Sequence, residues 1–282
     1  MNNLKTAVLL AAISGLLIAV GGAIGGAGGA ITFALIAAAM NFGSYWFSAD
    51  IVLRTSGAHE LQREQDPQLF ALIEDVAQRA GVPMPRVYAI DSPQPNAFAT
   101  GRSPSHAAVA VTTGIRALLT ERELVGVLGH ELAHVKNRDI LTSSIVATIA
   151  SAISMIAWMS MFFGGRGDNR NPLVGLVTML IAPIAAMLIQ LGISRAREYQ
   201  ADRDGARTVG DPEALASALA KLEQGAQRIP MDVPQSTAHM FIVNPLAALS
   251  GRGLGGLFAT HPPIAERIER LRSMRATAPT LD

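Results

Sequence analysis

Gly129-His130-Glu131-Leu132-Ala133-His134 sets two histidines four residues apart, with a glutamate directly after the first. On a helix, residues i and i+4 stand one above the other on one face, so the two imidazoles can grip one metal ion. Glu131 projects about 100° away around the helix, close to that ion but not as a third ligand of the same kind. It is placed to hold and deprotonate a water activated by the metal, whose pKa zinc lowers to about 7. This is the chemistry of an HExxH zinc site. The competing reading is a surface helix that carries two histidines.

Upstream, Thr120-x-x-Glu123 forms a capping box ahead of Leu124, Val125 and Leu128, so the helix is expected to begin there. No proline follows before Gly164, which predicts a helix running on without interruption. A catalytic zinc needs a third protein ligand and an open fourth position. The chain has no cysteine, which excludes thiolate sites, disulfides and a cysteine nucleophile, so that ligand is a histidine or a carboxylate. Downstream, Glu198-Tyr-Gln-Ala-Asp202 offers two carboxylates four residues apart. Glu198 can ligate, and Asp202 can accept the other N–H of a ligating histidine and so fix its tautomer. A solvated acidic face paired with Arg195, Arg197 or Arg203 is the competing reading of these two.

Charge is spread unevenly over the 282 residues. Charged residues make up 16% of the chain and hydrophobic ones 50%, against about 25% charged in a soluble domain. Residues 1–49 hold one charge, Lys5, and residues 140–194 hold three: Arg166, Asp168 and Arg170. A spanning helix needs about 20 apolar residues. The first block has room for two, over about 6–24 and 30–48, reversing in the Gly21–Gly29 stretch and ending at the interfacial aromatics Tyr45, Trp46 and Phe47. The glycines at 21, 25 and 29 also fit a helix-contact spacing. The run is longer than the apolar core of a cleaved signal peptide. The second block predicts a hairpin of spans over about 140–163 and 172–194. Residues 50–139 and 195–282 then form the two parts of one domain outside the lipid.

Basic residues set the orientation. Lys5, Arg54, Lys136, Arg138, Arg195 and Arg197 lie on the side of the termini, and only Arg166 and Arg170 on the other. The charged domain and both termini are therefore expected in the cytoplasm. The net charge of +1 and the absence of a long basic block give no case for nucleic acid. If the two later spans pair, His134 and Glu198 rise to matching heights, roughly 9 Å and 6 Å beyond their ends.

The charged segments predict a helix over 67–80 ended by Pro83 and Pro85, and strands over Arg86–Ile90, Asn96–Thr100 and His106–Thr112. Helices follow from Arg195 to Val209, from the Asp211-Pro212 cap to about Gln227, and from Pro262-Pro263 to about Arg275. Residues 229–260 carry no clear pattern, and 276–282 are expected to be a disordered tail. The fold class is mainly α: four transmembrane helices and a cytoplasmic α+β domain with a small sheet.

His130-Glu-Leu-Ala-His134 followed by Ser194-Arg-Ala-Arg-Glu198-Tyr-Gln-Ala-Asp202 resembles the HtpX membrane metalloproteases of the M48 group, which also contains the Ste24-type prenyl endopeptidases. Met40–Ser48, Pro95–Gly101 and His261–Leu271 resemble further family stretches, so the likeness runs over nearly the whole chain. It implies a zincin-like (gluzincin) endopeptidase with one Zn2+ per chain. His130, His134 and Glu198 would be the ligands and Glu131 the general base. His261 would stabilise the tetrahedral oxyanion, against the alternative of a structural histidine before a proline-initiated helix. The substrates implied are misfolded or damaged membrane proteins and other unfolded polypeptides, cut at the bacterial inner membrane, with another membrane protease as a partner in quality control.

Asn96, Ala97 and Phe98 would form an edge strand to which a substrate backbone adds, or else an ordinary paired strand. The rival functions are an intramembrane protease, a prenyl-protein (CAAX) endopeptidase and a non-catalytic holdase or scaffold. Against the first, Glu121, Arg122, Lys136 and Asp139 flank the motif, and burying them in lipid would cost several kcal/mol each.

Overall fold

The computed structural model describes residues 2–146, 149, 195–229, 240–243 and 262–276. Within these the chain is mainly helical, with one four-stranded mixed sheet. The spans expected over 140–163 and 172–194 lie outside the described residues, apart from 140–146 and 149, and so do His261 and the tail from 277.

Helix α1, Asn2–Thr55, is two helices joined at Gly25 and Gly26, where the backbone leaves helical geometry and Gly26 takes φ 59°. Asn41 Nδ2 donates to Ser14 Oγ at 2.9 Å, and a Cβ on Gly21 would strike the carbonyl of Gly29. The two arms therefore run antiparallel, and the glycines serve both readings made of them: they turn the chain and let the arms touch. Among the described residues, one helix, Gly25–Thr55, is long and apolar enough to cross a membrane. It continues seven residues beyond the expected end at 48, because Val52 and Leu53 leave the exposed apolar series and bury themselves against the sheet.

The sheet consists of β1 (Ala58–Glu60), β2 (Arg86–Ile90), β3 (Ala97–Gly101) and β4 (Ala107–Thr112), in the order β1-β2-β4-β3. β2 and β4 are parallel, with Arg86 opposite Ala108; β3 returns antiparallel, with Ala97 opposite Val111. β3 and β4 are apolar almost throughout and buried along their length, because both their faces are covered. Ala107, Val109 and Val111 face the helical layer, while Ala108, Ala110 and Phe98 face the end of α1 and Phe241. β1 was not anticipated: three residues are too few to show alternation.

The helical layer comprises α2 (Pro67–Ala80), α3 (Thr113–Leu118), α4 (Glu121–Lys136), α5 (Arg195–Val209), α6 (Pro212–Arg228) and α7 (Ile264–Ala276). α2 stops at Ala80 because Gly81 turns into the left-handed region, ahead of the prolines expected to end it. The capping box of α4 is made as expected: Thr120 N donates to Glu123 Oε2 at 2.9 Å. Ser217 and Lys221 of α6 also donate to Glu123. These bonds outweigh the opposing effect of burial and hold its carboxyl down at about 2.

The uninterrupted helix expected from Thr120 to Gly164 is not what forms. α4 ends at Lys136; Asn137 and Arg138 make a turn, with Arg138 at φ 58°, and the helix resumes at 139. A non-glycine residue in this region costs of order 1–3 kcal/mol. The break is compensated locally, since the backbone N–H of Asn137 still reaches Ala133 O at 2.9 Å.

Candidate metal centre

α4 and α5 approach backbone to backbone. A Cβ on Gly205 would lie 2.7 Å from the carbonyl of Gly129 and the nitrogen of His130. Only glycine on both sides permits this spacing, and it carries Glu198, two turns earlier on α5, to the histidine pair.

His130, His134 and Glu198 converge as a group able to hold a metal ion. Nε2 of His130 lies 3.2 Å from Nε2 of His134. The Glu198 carboxylate straddles them, with Oε2 at 3.7 Å from the first and Oε1 at 3.5 Å from the second. Ligands about 2.05 Å from a tetrahedral zinc stand roughly 3.3 Å apart, so the donor set fits that ion. The cavity they face is about 30 Å³ and is also lined by Glu131, Asp139, Met240 and Ile242. That is room for an ion and a water.

Each histidine is held from behind. His130 Nδ1 faces Asp202 Oδ1 at 2.9 Å, as the spacing of Glu198 and Asp202 suggested. His134 Nδ1 faces Asp139 Oδ2 at 3.1 Å. With Nδ1–H donated to a carboxylate, the Nε2 lone pair is free for a metal. Asp139 was not anticipated as a site residue. It reaches back only because the chain turns at Asn137–Arg138, and the sign of that turn in the sequence is an asparagine at a helix end.

Arg267 was also missed. It is fully buried and clamps Asp202 with two bonds, Nε to Oδ2 at 2.8 Å and Nη2 to Oδ1 at 2.7 Å. A third goes to the carbonyl of Ile242 at 3.3 Å. The available signal was an arginine on the apolar stripe of Ile264, Ile268 and Leu271, where a solvated residue has no place.

Glu131 is buried, and desolvation together with the nearby Glu198 pushes its carboxyl up to about 7, although Ala99 of β3 donates a backbone hydrogen bond to it. Burial pushes His130 down, against the pull of Asp202. For His134, burial is outweighed by the carboxylates of Glu198, Asp139 and Glu131, and its value rises to about 9. In the metal-free protein, then, a proton sits where a cation would.

β3 lies at the sheet edge. At its start the outer side is occupied: Ile242 N donates to Ala97 O at 3.1 Å, and the Asn96 side chain donates to Val243 O at 2.8 Å. Phe98 stacks edge-on against Phe241. Asn96 itself precedes the strand, which begins at Ala97.

The model of peptidase family M48 matches residues 63–275. Proteins named Protease HtpX homolog from Burkholderia thailandensis and Burkholderia mallei are each 55% identical over 282 residues, covering 98% of both chains. Among solved structures, S. mikatae Ste24p matches with a TM-score of 0.51 at 21% identity, covering 96% of this chain and 65% of that one, a likeness of fold. The family match embraces both halves of the site, α4 and α5, and the chain belongs to peptidase family M48, among its HtpX-type proteases.

Proposed function

We propose that this M48 metalloprotease is a zinc-dependent endopeptidase of the bacterial cytoplasmic membrane that cuts misfolded or damaged membrane proteins from the cytoplasmic side. The observation that carries the reading is the convergence of His130, His134 and Glu198 from two helices, each histidine backed by its own carboxylate. Zinc, when bound there, would polarise the scissile carbonyl and activate a water for attack.

The chain's own groups do the rest. Asp202 and Asp139 keep both imidazoles turned so that Nε2 presents a lone pair. Glu131 stands one residue from His130, in the same cavity, with a carboxyl that exchanges its proton near neutral pH. It takes a proton from the attacking water and returns it to the leaving amine. At the outer edge of β3 Ile242 takes the Ala97 carbonyl and Glu131 the Ala99 N–H, so the stretch from the Ala99 carbonyl onward is what would align a substrate backbone as an added strand. Residues 140–163 and 172–194 would complete the membrane part as a second helical hairpin.

Glu131→Gln tests the assignment. It should retain one zinc per chain and lose casein cleavage in detergent, whereas His134→Ala should lose both. Wild-type turnover by Glu131→Gln would refute the role given to that residue.

A further inference from the structure

Where α1 leaves the expected lipid layer, its exposed aromatics Phe42, Tyr45, Trp46 and Phe47 form a belt. A turn later the helix buries Val52 and Leu53 in the sheet. The tip of the β3–β4 hairpin meets α1 at that level: the Arg102 guanidinium lies 4.4 Å from the Trp46 ring centroid. Between them is a notch of about 190 Å³, lined by Trp46, Ser48, Asp50, Arg86, Arg102 and Ser105 among others.

Three features of this notch point to a ligand. Arg86 pairs with Asp50 at 3.4 Å, whereas no ion pair of Arg102 occurs among the described residues. One positive charge is thus left over, on a side chain already oriented by stacking. Ser48 lines the same notch; it is 1% exposed, and its hydroxyl has no hydrogen-bond partner among the described residues. A buried hydroxyl left without a partner is destabilising, and a ligand that supplies one relieves it. The exposed aromatic belt beside the notch supplies an apolar wall for the tails of a lipid.

We propose that this notch binds the headgroup of an anionic phospholipid, its phosphodiester on Arg102 and the Ser48 and Ser105 hydroxyls, its acyl chains along the aromatic belt of α1. A single phosphodiester matches the single unpaired cation. Arg102, Ser48 and Ser105 have no part in the peptidase chemistry. The inference rests on α1 crossing the membrane, which the same experiment checks separately by whether the protein stays in the membrane fraction after carbonate washing.

The test is native mass spectrometry of the full chain in a neutral detergent, titrated with phosphatidylglycerol or phosphatidylcholine. Wild type should hold one phosphatidylglycerol at least tenfold more tightly than phosphatidylcholine. Arg102→Gln should remove that preference, and Ser48→Ala should weaken it severalfold, while casein cleavage in detergent stays at the wild-type rate. Equal binding of the two lipids by wild type, or undiminished phosphatidylglycerol binding by Arg102→Gln, would overturn the proposal. So would displacement of the lipid by millimolar inorganic phosphate, which would make the notch a free-phosphate site. Loss of wild type from washed membranes would instead overturn the spanning role of α1.

Discussion

Replacing Gly205 by alanine should disable the metal centre without touching a ligand. The added Cβ would stand 2.7 Å from backbone atoms of Gly129 and His130. Carbon contacts relax to about 3.5–4.0 Å, so α4 and α5 must separate by roughly 1 Å. Metal–ligand distances tolerate about 0.2 Å. Glu198 lies two turns along the displaced helix and would leave its place between the two imidazoles. Overpacking of this kind costs about 1–3 kcal/mol, but alanine is worth about 1 kcal/mol more than glycine inside a helix, so the net loss of stability is about 0–2 kcal/mol. Zinc retention should fall at least as much as when a residue supporting a ligand is removed, about 10–100-fold. The measurements are zinc per chain after dialysis against a graded chelator, casein cleavage and the thermal midpoint. Gly43→Ala, with open space around its Cβ, is the control and should change nothing. A Gly205→Ala protein with full zinc and normal turnover would show that the helix spacing does not set the site.

Three further outcomes are expected. Arg267→Met leaves Asp202 buried without its cation and should cost about 3–5 kcal/mol; adding Asp202→Asn should recover part of that loss, and denaturant titration of both variants checks it. Asp139→Asn should weaken zinc binding about 10–100-fold while leaving the fold intact, as read by competition with a chelator. In the metal-free protein His134 keeps its proton up to about pH 9, and the metal must displace it. Apparent zinc affinity should therefore rise about tenfold per pH unit between 7 and 9 and level off above; a flat profile over that range would contradict the assigned protonation.

Much of this architecture could be read from residue patterns that act locally. The capping box at Thr120, the Asp211-Pro212 start and the short strand over 86–90 depend on neighbours a few positions away, and each forms where expected. The grouping of His130, His134 and Glu198 was also legible, because histidines and carboxylates at i and i+4 share a face whatever surrounds them. Asp139 and Arg267 were not. Arg267 depends on α7 docking over α5, to which its place on the apolar stripe of α7 was a pointer; Asp139 depends on a left-handed Arg138, which leaves no periodic trace. The break after Lys136 was missed for the same reason: no proline marks it, and its compensation is a hydrogen bond from Asn137 to Ala133.

The β3–β4 hairpin has one more consequence. Its tip touches Trp46 in the aromatic belt of α1, and Ala99, bonded to Glu131, stands three residues back along the strand from Arg102. At about 3.3 Å per residue this interval is roughly 10 Å. The hairpin is thus a spacer: it ties the Glu131 carboxyl to the aromatic belt of α1 through one short, stiff length of strand.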